Sequence, residues 1–264
     1  MKYTDYLVPL TDIARRAGEA ILEVYDREDF GVKLKSDDSP LTEADANANH
    51  VIVLGLQELT PDIPIISEEN KLVDYETRKT WSRCWLVDPL DGTKEFIKRN
   101  GEFTVNIALV EDGAVTMGVV FVPATNRMYW AARGQGAYEI SETENHRLSA
   151  ARFTAADTGL KIVGSRSHMN DETKNFILAF NQPEIVPKGS SLKFITLAEA
   201  EAHIYPRLAP TMEWDTGAAQ IVLEEAGGQV IDRETQQPLR YNKENLLNPH
   251  FVAYGNLSND TPTA

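Results

Sequence analysis

The residues best suited to chemistry stand together in the stretch Asp88-Pro89-Leu90-Asp91-Gly92-Thr93. In a regular strand the carboxylates of Asp88 and Asp91 would point to opposite faces. Pro89 and Gly92 indicate that the strand has already ended, so both carboxylates and the intervening carbonyl can turn toward one point. Such oxygen atoms are the ligands that Mg²⁺ takes alongside water and substrate phosphate. A solvated turn is the alternative interpretation, because Asp, Pro and Gly are common in turns.

Four more acids stand where predicted elements begin or end. Glu68 and Glu69 follow a short apolar strand, and Asp45 lies near the start of a helix. Asp215 begins an apolar helix. Taken singly, each acid has an ordinary role as part of a loop, as a cap worth about 1 kcal/mol, or as a charge complementing a helix dipole. Together they predict a bound cation, because carboxylates ~4 Å apart repel by roughly 4 kcal/mol at an effective dielectric constant of about 20.

Two helices are predicted in the first sixty residues. Apolar residues recur every three or four positions over residues 5–25, which is the pattern of an amphipathic helix. A second helix is predicted after Pro40-Leu41. Thr42 is its expected N-cap and Asp45 follows three residues later, which is close to a capping box.

Short apolar strands are predicted to lead into the acids. Residues 63–66 form one strand that ends before Glu68, and residues 84–87 form another that ends at the aspartate stretch. Gly92 and Thr93 are expected to open a helix, whose N–H groups favour a phosphate. The expected site therefore lies where strands end and helices begin.

An antiparallel sheet is predicted after the aspartate stretch. Residues 104–110 and 114–122 indicate a hairpin, because Asp112-Gly113 suits a tight reversal. Residues 127–132 and 136–140 are expected to add strands to the same sheet.

The second half of the chain shows a different pattern. Residues 142–160 are polar and weakly patterned, so we place a domain boundary there, with an N-terminal layer over 1–145 and a C-terminal layer over 146–264. Beyond the boundary, predicted strands alternate with predicted helices, which is typical of an α/β layer. The strands are 161–164, 185–187, 203–205 and 229–231, and the helices are 171–180, 192–200 and 214–226. Gly227-Gly228 ends the last helix.

The composition is that of an ordinary globular chain, with 264 residues, 42% hydrophobic and 25% charged. The net charge of −14 argues against a nucleic-acid partner held through phosphate contacts. The single cysteine, Cys84, excludes a disulfide framework and a multi-cysteine zinc site. Because we recognise neither a signal peptide nor an apolar run of about 20 residues, we expect no integral membrane segment and a cytoplasmic location.

Three motifs resemble, in order and spacing, those of the inositol monophosphatase superfamily of Mg²⁺-dependent, lithium-sensitive phosphatases. They are Ser67-Glu68-Glu69, Trp85-Leu86-Val87-Asp88-Pro89-Leu90-Asp91-Gly92-Thr93 and Glu213-Trp214-Asp215. The resemblance covers nearly the whole chain, from the helix start at 42–45 to Gly227-Gly228. It implies an α+β or α/β fold, namely the layered αβαβα sandwich of the inositol monophosphatase and sugar phosphatase type.

The residues after the aspartate stretch are similar to one branch of that superfamily. Lys94-Glu95-Phe96 stands where inositol monophosphatases usually continue with Asn-Phe, and it looks like the bacterial 3′(2′),5′-bisphosphate nucleotidases of the CysQ type. Three further places agree: Ser165-Arg166-Ser167-His168, Gly189-Ser190-Ser191-Leu192-Lys193-Phe194 and Tyr205-Pro206-Arg207. Ala200 departs from the pattern, since relatives commonly have a Gly there.

The resemblance implies hydrolysis of the 3′-phosphate of adenosine 3′,5′-bisphosphate to AMP and phosphate, as part of nucleotide turnover in sulfate assimilation. Two or three Mg²⁺ ions would activate water and stabilise the leaving oxygen. The implied ligands are Glu68, Asp88, Asp91, Asp215 and the carbonyl of Leu90. Thr93, paired with Asp45, would orient or deprotonate the nucleophile. Glu69 would be a further base or the ligand of a loosely held third ion.

The same resemblance implies a substrate site beside the metals. Backbone N–H groups of Gly92 and Thr93 would hold the transferring phosphate, close to Asp215. The second phosphate would receive charge-assisted hydrogen bonds from a set of donors, and His168 would contact the ribose or a phosphate. The donors are Ser190, Lys193 and Arg207. Without the resemblance, Lys193 would be taken for a solvated helix residue and His168 for a loop histidine.

Two other functions are left open. The first is a phosphatase for an inositol or sugar monophosphate that uses the same metal chemistry. The second is a non-catalytic sensor of nucleotide or Mg²⁺, although every implied ligand position is retained. We expect a small phosphorylated nucleotide as the bound partner. A homodimer and peripheral association at the inner membrane face are also left open, and no basic amphipathic helix points to the latter.

Overall fold

The structure is a computed structural model that describes residues 3–27, 33–34, 40–41, 43–141, 145–164 and 169–258. Within these ranges the helices are Tyr3–Tyr25 (α1), Glu43–Leu59 (α2), Tyr75–Arg78 (α3), Thr93–Ile97 (α4), Asp171–Leu178 (α5), Leu192–Ala198 (α6) and Gly217–Glu225 (α7). Short 3-10 turns lie at Pro123–Thr125 and Glu213–Asp215. The predicted helices over 5–25 and after Pro40-Leu41 are therefore present, while Thr42 lies outside the described residues.

A large, mostly antiparallel sheet is built from seven strands in chain order. They are Ile65–Ser67 (β3), Arg83–Asp91 (β4), Thr104–Glu111 (β5), Ala114–Val122 (β6), Arg127–Ala132 (β7), Gly136–Ile140 (β8) and Asn145–Arg147 (β9). Among the described strands of this sheet, only β3 and β4 pair in parallel. Asp112 and Gly113 both have positive φ, of 49° and 75°, as a two-residue reversal between β5 and β6 requires.

A second, mixed sheet has five strands, Lys161–Gly164 (β11), Glu184–Pro187 (β12), Ile204–Arg207 (β13), Gln229–Asp232 (β14) and Phe251–Tyr254 (β15). Their order in the sheet is β12-β11-β13-β15-β14. Strands β11, β12 and β13 run parallel with intervening helices, whereas β15 lies antiparallel between β13 and β14. Two small pairs complete the strands: Lys33–Leu34 (β1) with Pro40–Leu41 (β2), and Arg152–Phe153 (β10) with Asn256–Leu257 (β16).

Helices α1 and α2 cover one face of the seven-stranded sheet. Leu10 and Ile52 belong to one buried cluster with Trp85 and Leu109, whose side chains point to that face. Nearly all residues of β4 and β5 are buried, and successive ones belong to clusters on opposite faces of the sheet, because successive side chains leave a strand on opposite faces. This face buries the apolar stripes of both helices.

The other face of the seven-stranded sheet packs on α6 and α7, which in turn pack on the second sheet. Leu86, Ile221 and Phe251 represent these three layers in one continuous cluster. Helix α5 covers the far side of the second sheet, where Ile177 is buried with Ile204. The predicted αβαβα sandwich is confirmed, and the division of the chain at residue 145 stays a prediction.

Two local predictions are wrong. Strand β4 does not end at Asp88-Pro89 but continues to Asp91, because its pairing with β5 resumes after an irregularity. Asp215 does not begin a helix. It ends a 3-10 turn, and α7 starts at Gly217 after the chain has turned at Thr216. Strand β15 was not predicted, because its four residues follow a long segment with no periodic pattern.

Candidate active site

A bulge in β4 brings its two aspartates to the same face. Asp88 pairs with Asn106 and Asp91 pairs with Thr104, so two residues of β4 stand opposite the single residue between the partners in β5. The partners are two positions apart and share a face, and the bulge gives the aspartates the same relationship. Pro89, which has no N–H, is tolerated at such a position. The Leu90 N–H donates to Asp88 Oδ1 at 3.1 Å and fixes that carboxylate.

Three carboxylates converge beside this bulge. Single oxygen atoms of Glu68, Asp88 and Asp215, here called the acidic cluster, lie within 4.8 Å of one another. Glu68 arrives from the end of β3, where its N–H donates to the carbonyl of Val87 on β4. Asp215 arrives from the turn before α7 and is held by the Met212 N–H at 2.9 Å. Three separate parts of the chain thus meet at one point.

Burial and mutual repulsion raise the pKa values of Asp88, Asp91 and Asp215. Burial, and then the charge of Glu68, raise the pKa of Asp88 well above its usual range. Burial, and then Asp91, raise the pKa of Asp215 to about 8. Burial also raises the pKa of Asp91 to about 6, although the nearby Lys193 opposes the rise. Holding several such groups ionised requires compensating positive charge.

The acids fit a divalent cation. Asp91 Oδ2 is buried and has no hydrogen-bond partner among the described residues, which is costly unless a ligand takes it up. The donors are all carboxylate or carbonyl oxygens, which are the hard ligands that Mg²⁺ prefers. The structure therefore contains an acidic cluster suited to a metal ion.

Thr93 and Asp45 lie together next to the cluster. Thr93 Oγ1 is 3.4 Å from Asp45 Oδ1 and 3.5 Å from the carbonyl oxygen of Leu90. Asp45 is only 2% exposed, although it stands in the first turn of α2. Gly92, just before α4, has a φ of 94°, and a Cβ there would come within 3.2 Å of Ser190 Cβ. The close approach of these two segments explains the glycine.

An inner pocket of about 70 Å³ extends from the acids to the cations of α6 and β13. Lys193 Nζ donates to the carbonyl of Ser190 at 2.9 Å and lies 5.7 Å from the centre of the Tyr205 ring. Burial lowers the pKa of Lys193, and Asp91 opposes this effect. Arg207 donates to the carbonyl of Pro210, while its Nε is buried without a hydrogen-bond partner in the described part of the chain.

A wider outer chamber of about 690 Å³ opens from the same groups. Asp91, Ser190, Lys193 and Arg207 line both spaces. The residues that line the outer chamber without lining the inner pocket are Gly92, Lys94, Glu95, Lys98, Asn100, Glu102, Lys188, Gly189 and Ala209. The two spaces together form one cleft.

Six of the predicted site residues line this cleft, and Glu68 and Asp88 join one of them, Asp215, in the acidic cluster; the six are Asp91, Gly92, Ser190, Lys193, Arg207 and Asp215. Glu69 follows the cluster residue Glu68 but does not belong to the acidic cluster, and its N–H approaches Ser67 Oγ at 3.4 Å. His168 lies outside the described residues. Sequence reasoning did not single out Lys98 or Lys188. The spacing of Lys94 and Lys98 by four residues after a helix start was an available signal, whereas Lys188 is recognisable only from the fold.

Residues 3–260 match the inositol monophosphatase family. The chain therefore belongs to the inositol monophosphatase family, as predicted. Among its relatives, the 3′(2′),5′-bisphosphate nucleotidase CysQ of Salmonella typhimurium strain LT2 is 44% identical over 93% of this chain and 98% of that protein. The protein of the same name from Escherichia coli K12 is 46% identical over 90% of this chain and 95% of that protein. The predicted resemblance to the CysQ type is confirmed.

A solved structure agrees with these relatives. The crystal structure of CysQ from Bacteroides thetaiotaomicron, described as a bacterial member of the inositol monophosphatase family, has a TM-score of 0.84 and 43% sequence identity. The match covers 96% of this chain and 98% of that one. Separately, none of the helices within the described ranges has the length and apolar character needed to cross a membrane.

Proposed function

We propose that this chain hydrolyses the 3′-phosphate of adenosine 3′,5′-bisphosphate to AMP and inorganic phosphate, with Mg²⁺ as cofactor. The observation that carries this proposal is a single cleft lined both by acids suited to a metal and by the cations Lys193 and Arg207. A substrate with two phosphates can use both ends of such a cleft. The relatives at 44% and 46% identity, both named 3′(2′),5′-bisphosphate nucleotidase, support the same substrate.

We assign two or three Mg²⁺ ions to the acidic cluster, to Asp91 and to the carbonyl of Leu90. The buried, unpartnered Asp91 Oδ2 supports this assignment, because a carboxylate oxygen in that position needs a cation or a donor. When bound, Mg²⁺ polarises the phosphate as a Lewis acid and favours deprotonation of water near neutral pH.

Thr93 and Asp45 are assigned to the nucleophile. The Thr93 hydroxyl orients the attacking water, and Asp45, 3.4 Å from that hydroxyl, takes up the proton that is released. The water oxygen attacks phosphorus in line with the ribose 3′-oxygen, the bond between phosphorus and that oxygen breaks, and the oxygen leaves as part of AMP and gains a proton. Glu69 is assigned as a further base near the same water.

The remaining residues are assigned to the substrate. Gly92 and Thr93 donate backbone N–H groups to the transferring phosphate, which lies close to Asp215. Ser190, Lys193 and Arg207 donate to the second phosphate, and the unpartnered Arg207 Nε supports this assignment. His168 is assigned to the ribose or to a phosphate. The oligomeric state and the cytoplasmic location stay predictions.

The test compares phosphate release from adenosine 3′,5′-bisphosphate and from inositol 1-phosphate across a Mg²⁺ titration, with and without lithium. Lys193→Met and Arg207→Met should each lower kcat/KM for the nucleotide by about 10- to 100-fold, because each removes a charged donor. The same variants should change the inositol ester by less than about threefold, since it has no second phosphate. Arg233→Met, which removes an exposed arginine paired with Glu172, is the matched control.

A preference for the inositol ester would overturn the substrate and leave the metal site in place. The absence of turnover with either ester, in a protein that still binds Mg²⁺ and nucleotide, would favour the sensor. Equal losses on both esters in the two variants would place Lys193 and Arg207 outside a site for the second phosphate.

A further inference from the structure

The outer chamber has more positive charge than one 5′-phosphate needs. Lys94 lies on α4, and Lys98 caps the C-terminal end of that helix four residues later, where its N–H donates to the Lys94 carbonyl at 3.1 Å. The two therefore lie on one side of the helix, and Lys188 faces the same chamber from the chain beyond β12. None of the three lines the inner pocket, where Lys193 and Arg207 lie. The chamber is thus a second cationic space that continues outward from the first.

These three lysines are available to a ligand. In the described ranges, no carboxylate forms an ion pair with Lys94, Lys98 or Lys188. By contrast, Lys79 and Lys174 each pair with an acid on their own helix. Side chains of this kind bind anions as compact ammonium charges.

Two acids besides Asp91 also line the chamber, but they do not cancel its charge. Glu102 Oε2 accepts the Gly189 N–H at 2.9 Å, which holds the turn before Ser190. Glu95 packs against Gly189, because a Cβ at that glycine would come within 2.7 Å of Glu95 Cγ. Five cations and three acids line the chamber, and one of those acids, Asp91, is assigned to the metal. The remaining charges, five positive and two negative, favour a bound anion.

The chemistry of the lining limits what that anion can be. No aromatic ring appears among the described residues that line the outer chamber, so nothing there stacks on a nucleobase. We propose that Lys94, Lys98 and Lys188 bind the outer phosphoryl group of a 5′-diphosphate, so that 3′-phosphorylated nucleoside 5′-diphosphates are substrates of the same site. This inference rests on the proposed function, which places the inner 5′-phosphoryl group on Lys193 and Arg207.

The reaction is again hydrolysis of the 3′-phosphate, which lies at the end of the nucleotide opposite the 5′-diphosphate. Water supplies the oxygen that forms the new bond to the 3′-phosphorus, and the bond from phosphorus to the ribose 3′-oxygen breaks. That oxygen gains a proton, so the products are inorganic phosphate and a nucleoside 5′-diphosphate. The 5′-diphosphate itself is not cleaved.

The test measures kcat/KM for adenosine 3′,5′-bisphosphate and for adenosine 3′-phosphate 5′-diphosphate at equal free Mg²⁺. The Lys94→Ala/Lys98→Ala/Lys188→Ala variant should lose about 10-fold or more on the 5′-diphosphate and less than about threefold on the bisphosphate. A control variant, Lys79→Ala/Lys161→Ala/Lys174→Ala, removes the same charge away from the chamber. It should lose less than about twofold on both substrates.

The outcomes separate this inference from the one on which it rests. Equal losses on the two substrates would overturn it, because the lysines would then act only through their long-range field. Wild-type turnover of the bisphosphate without turnover of the 5′-diphosphate would overturn it as well. Failure of the wild-type protein to hydrolyse either nucleotide would instead defeat the proposed function.

Discussion

Thr93 Oγ1 lies 3.4 Å from Asp45 Oδ1, so the first residue of α4 contacts the first turn of α2. The two side chains come from segments that are 48 residues apart in sequence. Asp45 is buried at this contact, whereas a carboxylate that only completes a helix turn is normally exposed. The contact therefore gives Asp45 a role in the cleft in addition to any role at the helix start.

Asp45→Asn separates these two roles. The amide keeps the hydrogen-bonding capacity that stabilises a helix start, so the melting temperature should change little. It cannot accept the proton from the nucleophile, so we expect kcat to fall by about 10²- to 10⁴-fold. Steady-state kinetics and thermal melts check both expectations, with the exposed Asp12→Asn on α1 as the control. Turnover near the wild-type level would remove Asp45 from the proton path.

Asp91→Asn tests whether the second aspartate of the bulge serves the metal or the fold. We expect turnover to be abolished, because a ligand of the cation is lost. Without Mg²⁺ the melting temperature should stay equal or rise, since burial and neighbouring acids already disfavour the charged form of Asp91. Melts in a chelator check this. A large loss of metal-free stability would make Asp91 a structural residue.

The metal-free protein should become less stable as pH rises from about 5 to about 7. Folding raises the pKa of Asp215 to about 8 and that of Asp91 to about 6, so the native state holds protons that the unfolded state has already released. The free energy of unfolding therefore falls with rising pH until these groups have ionised in the native state as well. Melts in a chelator measure the decline, and saturating Mg²⁺ should reduce it. A metal-free melting temperature that rises over this range would contradict the expectation.

The sequence could predict that the two aspartates face the same way but not the cause of this. Asp88 and Asp91 are three residues apart, which places them on opposite faces of a regular strand. The bulge reverses that relationship, and it depends on pairing with Thr104 and Asn106, which local sequence does not specify. Both aspartates thus share a face within a strand that continues, and not in a turn after it, while Asp91 does not belong to the acidic cluster.

The cationic residues of the cleft could not be recognised from local sequence patterns. Lys193 and Arg207 were assigned through the resemblance alone, because each is an ordinary residue on an α-helix or a β-strand. Lys188 had no signal at all, since only the parallel pairing of β12 with β11 brings the chain beyond β12 to the cleft. Residues whose role depends on such crossovers cannot be recognised from local patterns.

Ala200 offers a stability test at a place where the sequence departs from its relatives. It follows Glu199, the C-cap of α6, and has a φ of 61°, and the N–H of Glu201 donates to the carbonyl of Thr196, as in a helix end that favours glycine. Ala200→Gly should relieve backbone strain and raise the melting temperature by about 1–3 °C. Ala198→Gly, inside the same helix, should lower it. A lower melting temperature for Ala200→Gly would show that the strain is not stored there.

Glu213, two residues before Asp215, is fully buried, and its side chain forms an ion pair with Lys243. The Asn242 N–H also donates to it at 2.6 Å, so this carboxylate joins the turn before α7 to the loop after β14.

Lys243→Met should lower the free energy of unfolding by about 1–3 kcal/mol, because it leaves a buried carboxylate without its cation. Lys79→Met breaks an exposed pair with Glu76 and should cost less than about 1 kcal/mol. Denaturant titrations compare the two variants. Equal, small losses would mean that the backbone donors alone hold Glu213, and with it the turn that positions Asp215.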